Sequence, residues 1–95
     1  MEFEEPSTTT YTIYSKSGCT FCTKVKNLLL EKNYSFDIID CDEYLIEDKD
    51  GFLEFIQERT GREYRTFPMV FLRGIFIGGF TETKLQIDKE SAFEF

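Results

Sequence analysis

Cys19 and Cys22, in the run Lys16-Ser17-Gly18-Cys19-Thr20-Phe21-Cys22, are the residues of this chain best suited to chemistry. Two thiols separated by two residues can close a small disulfide ring and open it again. They fall where a short apolar run, Tyr11–Tyr14, gives way to a helical pattern. A thiol at a helix start meets the positive end of the aligned peptide dipoles, which favours the thiolate, the form that attacks. Cys19, the more N-terminal, is therefore the expected nucleophile. Cys22, one turn in and on the apolar face, is the expected resolving thiol. Attack leaves a mixed disulfide on Cys19, which Cys22 or a second small thiol then releases. The competing chemistry is zinc binding, which needs four ligands. The chain has no His and only Cys41 as a further cysteine, so carboxylates would have to complete a poor set. No metal is expected.

The elements that must position this pair follow from periodicity. Thr10–Tyr14 alternates and is rich in strand formers. From Thr20, the residues Cys22, Val25, Leu28 and Leu29 recur at helical spacing, with Lys24 and Lys26 facing out and an end near Lys32-Asn33. Tyr34–Asp40 reads as a second strand. Strand, helix and strand in so short a span make a βαβ unit with parallel strands and a right-handed crossover. Cys41–Glu47 is acidic and has no clear pattern. A second helix is expected from Lys49 to Thr60, with Phe52, Phe55 and Ile56 on one face, weakened at its start by Gly51 and stopped by Gly61. After a polar loop, Met69–Leu72 and Ile75–Ile77 are joined at Arg73-Gly74 as an antiparallel hairpin, and Gly78-Gly79 ends it. A weaker pattern near Thr81–Ile87 suggests a short last helix. The expectation is an α/β domain with a four-stranded mixed sheet flanked by helices.

Composition narrows the partners. A chain of 95 residues with 41% hydrophobic content and eleven Phe can fill one core. Residues 1–9 carry Glu2, Glu4, Glu5, Pro6 and a Ser/Thr run, and are expected to be a flexible tail before a domain spanning 10–95. The net charge of -7 argues against nucleic acid, which needs a basic face. Lys16, Lys24 and Lys26 nonetheless flank the cysteine pair, and a local positive site on an acidic body would attract small anions. Three cysteines are an odd number and do not suit a secreted disulfide framework. The N-terminus has no basic start followed by an apolar stretch, and no run is long enough to cross a bilayer. A reducing, cytoplasmic setting is expected, where a cysteine pair is catalytic or metal-binding more often than structural. A monomer without a membrane partner is also expected.

Strand, Cys-x-x-Cys, helix, strand, helix, then Pro68 before a hairpin and Gly-Gly after it: this order resembles the glutaredoxin family of the thioredoxin fold. The resemblance spans Thr10 to Thr83 and rests on short motifs in the right sequence. The lead-in Tyr14-Ser15-Lys16-Ser17 and the absence of Trp favour it over thioredoxin. It implies a thioredoxin-like fold, here with a shortened C-terminal helix that covers its side of the sheet thinly. It further implies a dithiol enzyme that reduces protein disulfides and glutathione mixed disulfides, with glutathione as co-substrate. The ligand groove would then comprise Lys16, Phe21, Phe67, Pro68, Gly79, Phe80 and Thr81. Lys16 would meet the glycine carboxylate of glutathione, or else simply be solvated. Phe21 would pack beside the ligand or be an ordinary surface hydrophobe. Pro68 would follow a cis bond that points the Phe67 backbone at the nucleophile, where a bland reading has it only beginning a strand. Phe80 and Thr81 would offer amides to the γ-glutamyl carboxylate.

Several positions depart from the family pattern. Thr20 stands where many members have Pro, which restores an amide as a possible donor to the Cys19 sulfur. Thr81 and then Glu82 stand where many carry Asp. The loop Arg62-Glu63-Tyr64-Arg65 is longer than usual, with Arg65 leaning into the site or facing solvent. Two alternatives follow from these departures: a thioredoxin-like electron donor, for example to ribonucleotide reductase, or a scaffold holding a [2Fe–2S] cluster between two protomers. Cys41, at a strand end, reads as a half-buried bystander.

Overall fold

The computed structural model describes residues 1–92, with side chains described through Glu90; the last three residues of the expected domain lie outside it. Its elements are β1 (Tyr11–Ser15), α1 (Thr20–Glu31), β2 (Phe36–Asp40), α2 (Asp42–Glu47), α3 (Lys49–Thr60), β3 (Met69–Leu72), β4 (Ile75–Gly78) and α4 (Phe80–Ala92). The four strands lie in the order β2-β1-β3-β4. β1 runs parallel to β2 and antiparallel to β3, and β3 and β4 form the expected hairpin.

Strand alternation divides the core in two. Tyr11, Ile13 and Val70 face one side, where they bury Val25 and Leu29 of α1 and Ile87 of α4. Tyr14, Met69 and Phe71 face the other and pack on Phe52, Phe55 and Ile56 of α3. The sheet is thus sandwiched between helix layers, and β1, buried on both faces, delivers the chain to Cys19.

Helix ends explain most boundaries. α1 stops where Asn33 enters the left-handed region at φ 62, a conformation Asn tolerates better than most residues. Gly61 ends α3 at φ 77. The Asp48 carboxylate caps α3 by accepting the Gly51 N–H at 3.1 Å, so the helix starts at Lys49 despite the glycine. The patternless stretch after Cys41 forms α2. Asp42 and Glu43 occupy its first turn, where the dipole favours them, and Tyr44 and Leu45 pack against the α3 core.

Three expectations are corrected. α4 extends well past Ile87, and that residue is fully buried, so this side of the sheet is not thinly covered. Residues 1–7 form no helix or strand, yet they do not lie free of the core. Phe3 meets Tyr44 edge-on at 5.0 Å and Phe52 at 5.7 Å, the Tyr14 hydroxyl donates to the Glu4 carbonyl at 2.7 Å, and Arg59 pairs with Glu5. An aromatic anchor in the third position was hidden by its acidic neighbours. Cys41 is fully rather than half buried, and burial pushes its thiol up to about 12, so it stays protonated and unreactive near neutrality.

Candidate active site

β1 ends at Ser15, and the next residues turn sharply to bring Cys19 to the first position outside α1. Gly18 makes the turn at φ 71, with nothing near enough to obstruct a side chain; backbone conformation alone favours glycine there. Cys19 is the N-cap of α1, in extended conformation, and its Sγ accepts the N–H of Cys22 at 3.1 Å. The donor is Cys22, not Thr20, because an N-cap side chain reaches the amides one turn ahead. Cys19 and Cys22 are joined as a disulfide, with Cα atoms 5.3 Å apart. Cys22 is 5% exposed, whereas Cys19 is half-buried and faces a cavity of about 400 Å³ bounded by Ser15–Thr20, Cys22 and Thr23.

A residue that periodicity could not nominate holds this turn in place. The Asp42 carboxylate accepts the Ser17 N–H at 2.8 Å and also the Ser17 hydroxyl. The parallel register pairs Ser15 with Asp40, so Ser17 and Asp42 each lie two residues beyond the same rung. The Ser17 hydroxyl and amide, the largest causes, hold the Asp42 carboxyl below its ordinary value of 3.8. A carboxyl lowered on folding contributes stability above that ordinary value and loses it as the pH falls toward the lowered one. Asp42→Ala is therefore expected to lower Tm modestly at neutral pH, together with a severalfold fall in kcat/KM. The wild-type advantage over it should shrink as the pH drops below about 4. Paired kinetics and melts across pH 3–7 check both.

Two clefts adjoin the cysteine segment, one through Phe21 and the other through Lys16. On one side Phe21, Tyr64, Thr66–Pro68 and Gly79–Glu82 line a groove of about 170 Å³. The Phe67–Pro68 bond is cis, as the resemblance implies. Phe21 is 51% exposed and leans on Phe80 at 5.9 Å, so it forms a wall of the groove. Phe80 and Thr81 open α4, where first-turn amides have no acceptor within the helix. Glu82, three residues into the helix, reaches back so that its Oε1 accepts the Gly79 N–H at 2.8 Å, half of a capping box. On the other side Lys16, Lys49 and Arg65 surround a cavity of about 270 Å³ with Leu45, Leu53 and Phe67. The Lys16 ammonium lies 5.6 Å from the Phe67 ring centre. Arg65 both leans toward this cavity and pairs with Glu63, an exposed pair that contributes little to stability. Every expected groove residue thus falls on one or other wall. Asp42, Lys49 and Tyr64 were not anticipated, since tertiary contact alone brings them there.

A disulfide-forming pair at a helix start, with Phe21 of the same helix sharing a groove with a cis-proline and a glycine turn, is the geometry in hand. The family model for glutaredoxin matches residues 11–77. This chain belongs to the glutaredoxin family. Mitochondrial glutaredoxin-2 of Bos taurus is 37% identical to it over 71 residues, covering 75% of the chain and 43% of that protein. The chain therefore spans less than half the length of this relative. Glutaredoxin 1 of Rickettsia felis is 31% identical over 85 residues, which cover 90% of the chain and 78% of the relative. Among solved structures, glutaredoxin 1 from Francisella tularensis, complexed with cacodylate, superposes with a TM-score of 0.74 at 30% identity, covering 86% of this chain and 95% of that one. A buckwheat glutaredoxin–glutathione complex superposes at 0.71 and 28% identity, covering 84% and 69%. The four-stranded mixed sheet with flanking helices is that of thioredoxin-like glutaredoxins.

Proposed function

We propose that this glutaredoxin is a glutathione-dependent thiol–disulfide oxidoreductase acting on protein disulfides and on glutathionylated proteins in a reducing, cytoplasmic setting. The observation that carries the reading is the Cys19 sulfur, which N-caps α1 and accepts an amide N–H, on a turn whose Lys16 lines a cationic cavity and whose helix carries Phe21 into a groove that ends in helix-start amides. That cap supports the thiolate of the reduced protein, since a hydrogen bond to the charged form favours it.

Glutathione carries a carboxylate at each end and a thiol between. The Lys16 side suits its glycine carboxylate, and the amides of Phe80 and Thr81 suit the γ-glutamyl carboxylate. With the two ends so held, the glutathione sulfur lies toward Cys19. The Cys19 thiolate attacks that sulfur in a glutathionyl mixed disulfide; the protein thiolate leaves and takes up a proton. A second glutathione thiolate then attacks the glutathionyl sulfur, releasing Cys19 and forming glutathione disulfide. One disulfide is exchanged for another at each step, so electrons balance, and glutathione supplies the reducing pair. Against a protein disulfide, Cys22 attacks the mixed disulfide on Cys19 and closes the ring seen here.

The test is a coupled assay on a glutathionylated peptide. Turnover with glutathione and glutathione reductase, and little with thioredoxin reductase alone, is expected. The reverse preference would replace the glutathione assignment with a thioredoxin-like donor role.

A further inference from the structure

The long loop between α3 and β3 brings a side chain to the groove that the sequence pattern did not assign. Tyr64 is half-buried, with its ring set edge-on against Phe76 at 4.8 Å. The Arg62 guanidinium lies 5.5 Å from the Tyr64 ring centre and 5.4 Å from that of Phe76, so the phenol is braced from two sides. Its hydroxyl points to Gly79: a Cβ placed there would stand 3.3 Å from the Tyr64 oxygen, tighter than ordinary contact. Gly79 is not in the left-handed region, so the crowding a side chain would meet there comes from this hydroxyl, while Glu82 and the Pro68 carbonyl would stand at ordinary contact distance. Among the described residues, the Tyr64 hydroxyl makes no hydrogen bond to protein. A braced phenol thus faces the groove beside the helix-start amides, its donor unspent.

We propose that Tyr64 is a specificity-determining residue whose hydroxyl donates to the α-carboxylate of a γ-glutamyl group bound over Gly79. The inference rests on the glutathione reading above. It assigns part of the recognition to the loop between α3 and β3, whose Tyr64 lines the same groove as Thr81. A ligand without the γ-glutamyl group has nothing for this hydroxyl to meet.

Tyr64→Phe keeps the ring on Phe76 and removes only the donor. Two mixed disulfides of one peptide serve as probes, one with glutathione and one with cysteinylglycine, which lacks the γ-glutamyl group. A hydrogen bond to a charged acceptor predicts that the ratio of kcat/KM between these substrates falls about tenfold in the variant, carried by KM for the glutathionyl substrate. Melting curves of both proteins establish that the fold is kept. An equal loss on both substrates, or none on either, overturns the inference and leaves the glutathione assignment standing. Failure of the wild-type protein to turn over the glutathionyl substrate overturns both.

Discussion

Cys19→Ser is expected to lower turnover of a glutathionyl mixed disulfide by about a thousandfold or more, because no other group in the chain can form the covalent intermediate. Cys22 is 5% exposed and lies one turn inside α1, out of reach of a bulky disulfide. Cys41 is sealed in the α3 core with a thiol pushed up to about 12, chiefly by burial, so it offers almost no thiolate at neutral pH. Cys22→Ser should behave differently. It should keep most deglutathionylation, which needs only Cys19 and a second glutathione, and lose most reduction of protein disulfides, which needs the second sulfur to close the ring. Steady-state assays on one glutathionylated peptide and one disulfide protein separate these outcomes. Full activity of Cys19→Ser on either would remove the nucleophile from the mechanism. Alkylation of the reduced wild-type protein at varied pH tests the same assignment directly, and its midpoint should fall below the free-thiol value of about 8.5.

The second large effect lies beneath the site. Phe52→Ala is expected to destabilise the fold by about 3–5 kcal/mol, a large part of the ~5–15 kcal/mol available to a domain. The Phe52 ring is fully buried and meets Phe3, Tyr14, Tyr44, Phe55 and Phe67. Those five partners come from the N-terminal segment, β1, α2, α3 and the loop before β3, so no single element can shift to fill the void. Phe67 stacks on Phe52 at 6.2 Å and also lines both clefts that adjoin the cysteine segment. Loss of the ring should therefore raise KM before it unfolds the protein. Urea titration reads the first effect as a lower midpoint with little change in slope. A loss below about 1 kcal/mol would mean that the aromatic cluster relaxes around the gap.

How much of this was legible in the residues depends on the range of the interactions involved. Helix α1 and its cap were readable because apolar spacing and a breaker at Gly18 act within a few residues. Gly61 and Asn33 ended their helices for the same local reason. The hairpin followed from two apolar runs around Arg73-Gly74. α2 was not readable: Tyr44 and Leu45 make a stripe only once α3 lies beside them, and acidic neighbours mask it. Phe3 was lost for the same cause, its value coming from Tyr44, Phe52 and Phe55 across the fold. Lys16 was nominated for the cationic side of the site, whereas Lys49 joins it from a different element.

The linear order of residues alone determined the disulfide-forming pair and the family to which this protein belongs. A Cys-x-x-Cys at a strand-to-helix junction, a proline before a hairpin and a glycine pair after it are short-range features, and short-range forces write them directly into the chain. Only the tertiary structure decided how the reactive turn is held and what the groove presents to a ligand. Asp42 clamps Ser17 because parallel pairing brings two strand ends together, and Tyr64 covers Gly79 because a loop returns across the sheet. Both contacts join residues distant in sequence, and such contacts exist only after the strands have chosen their neighbours and register.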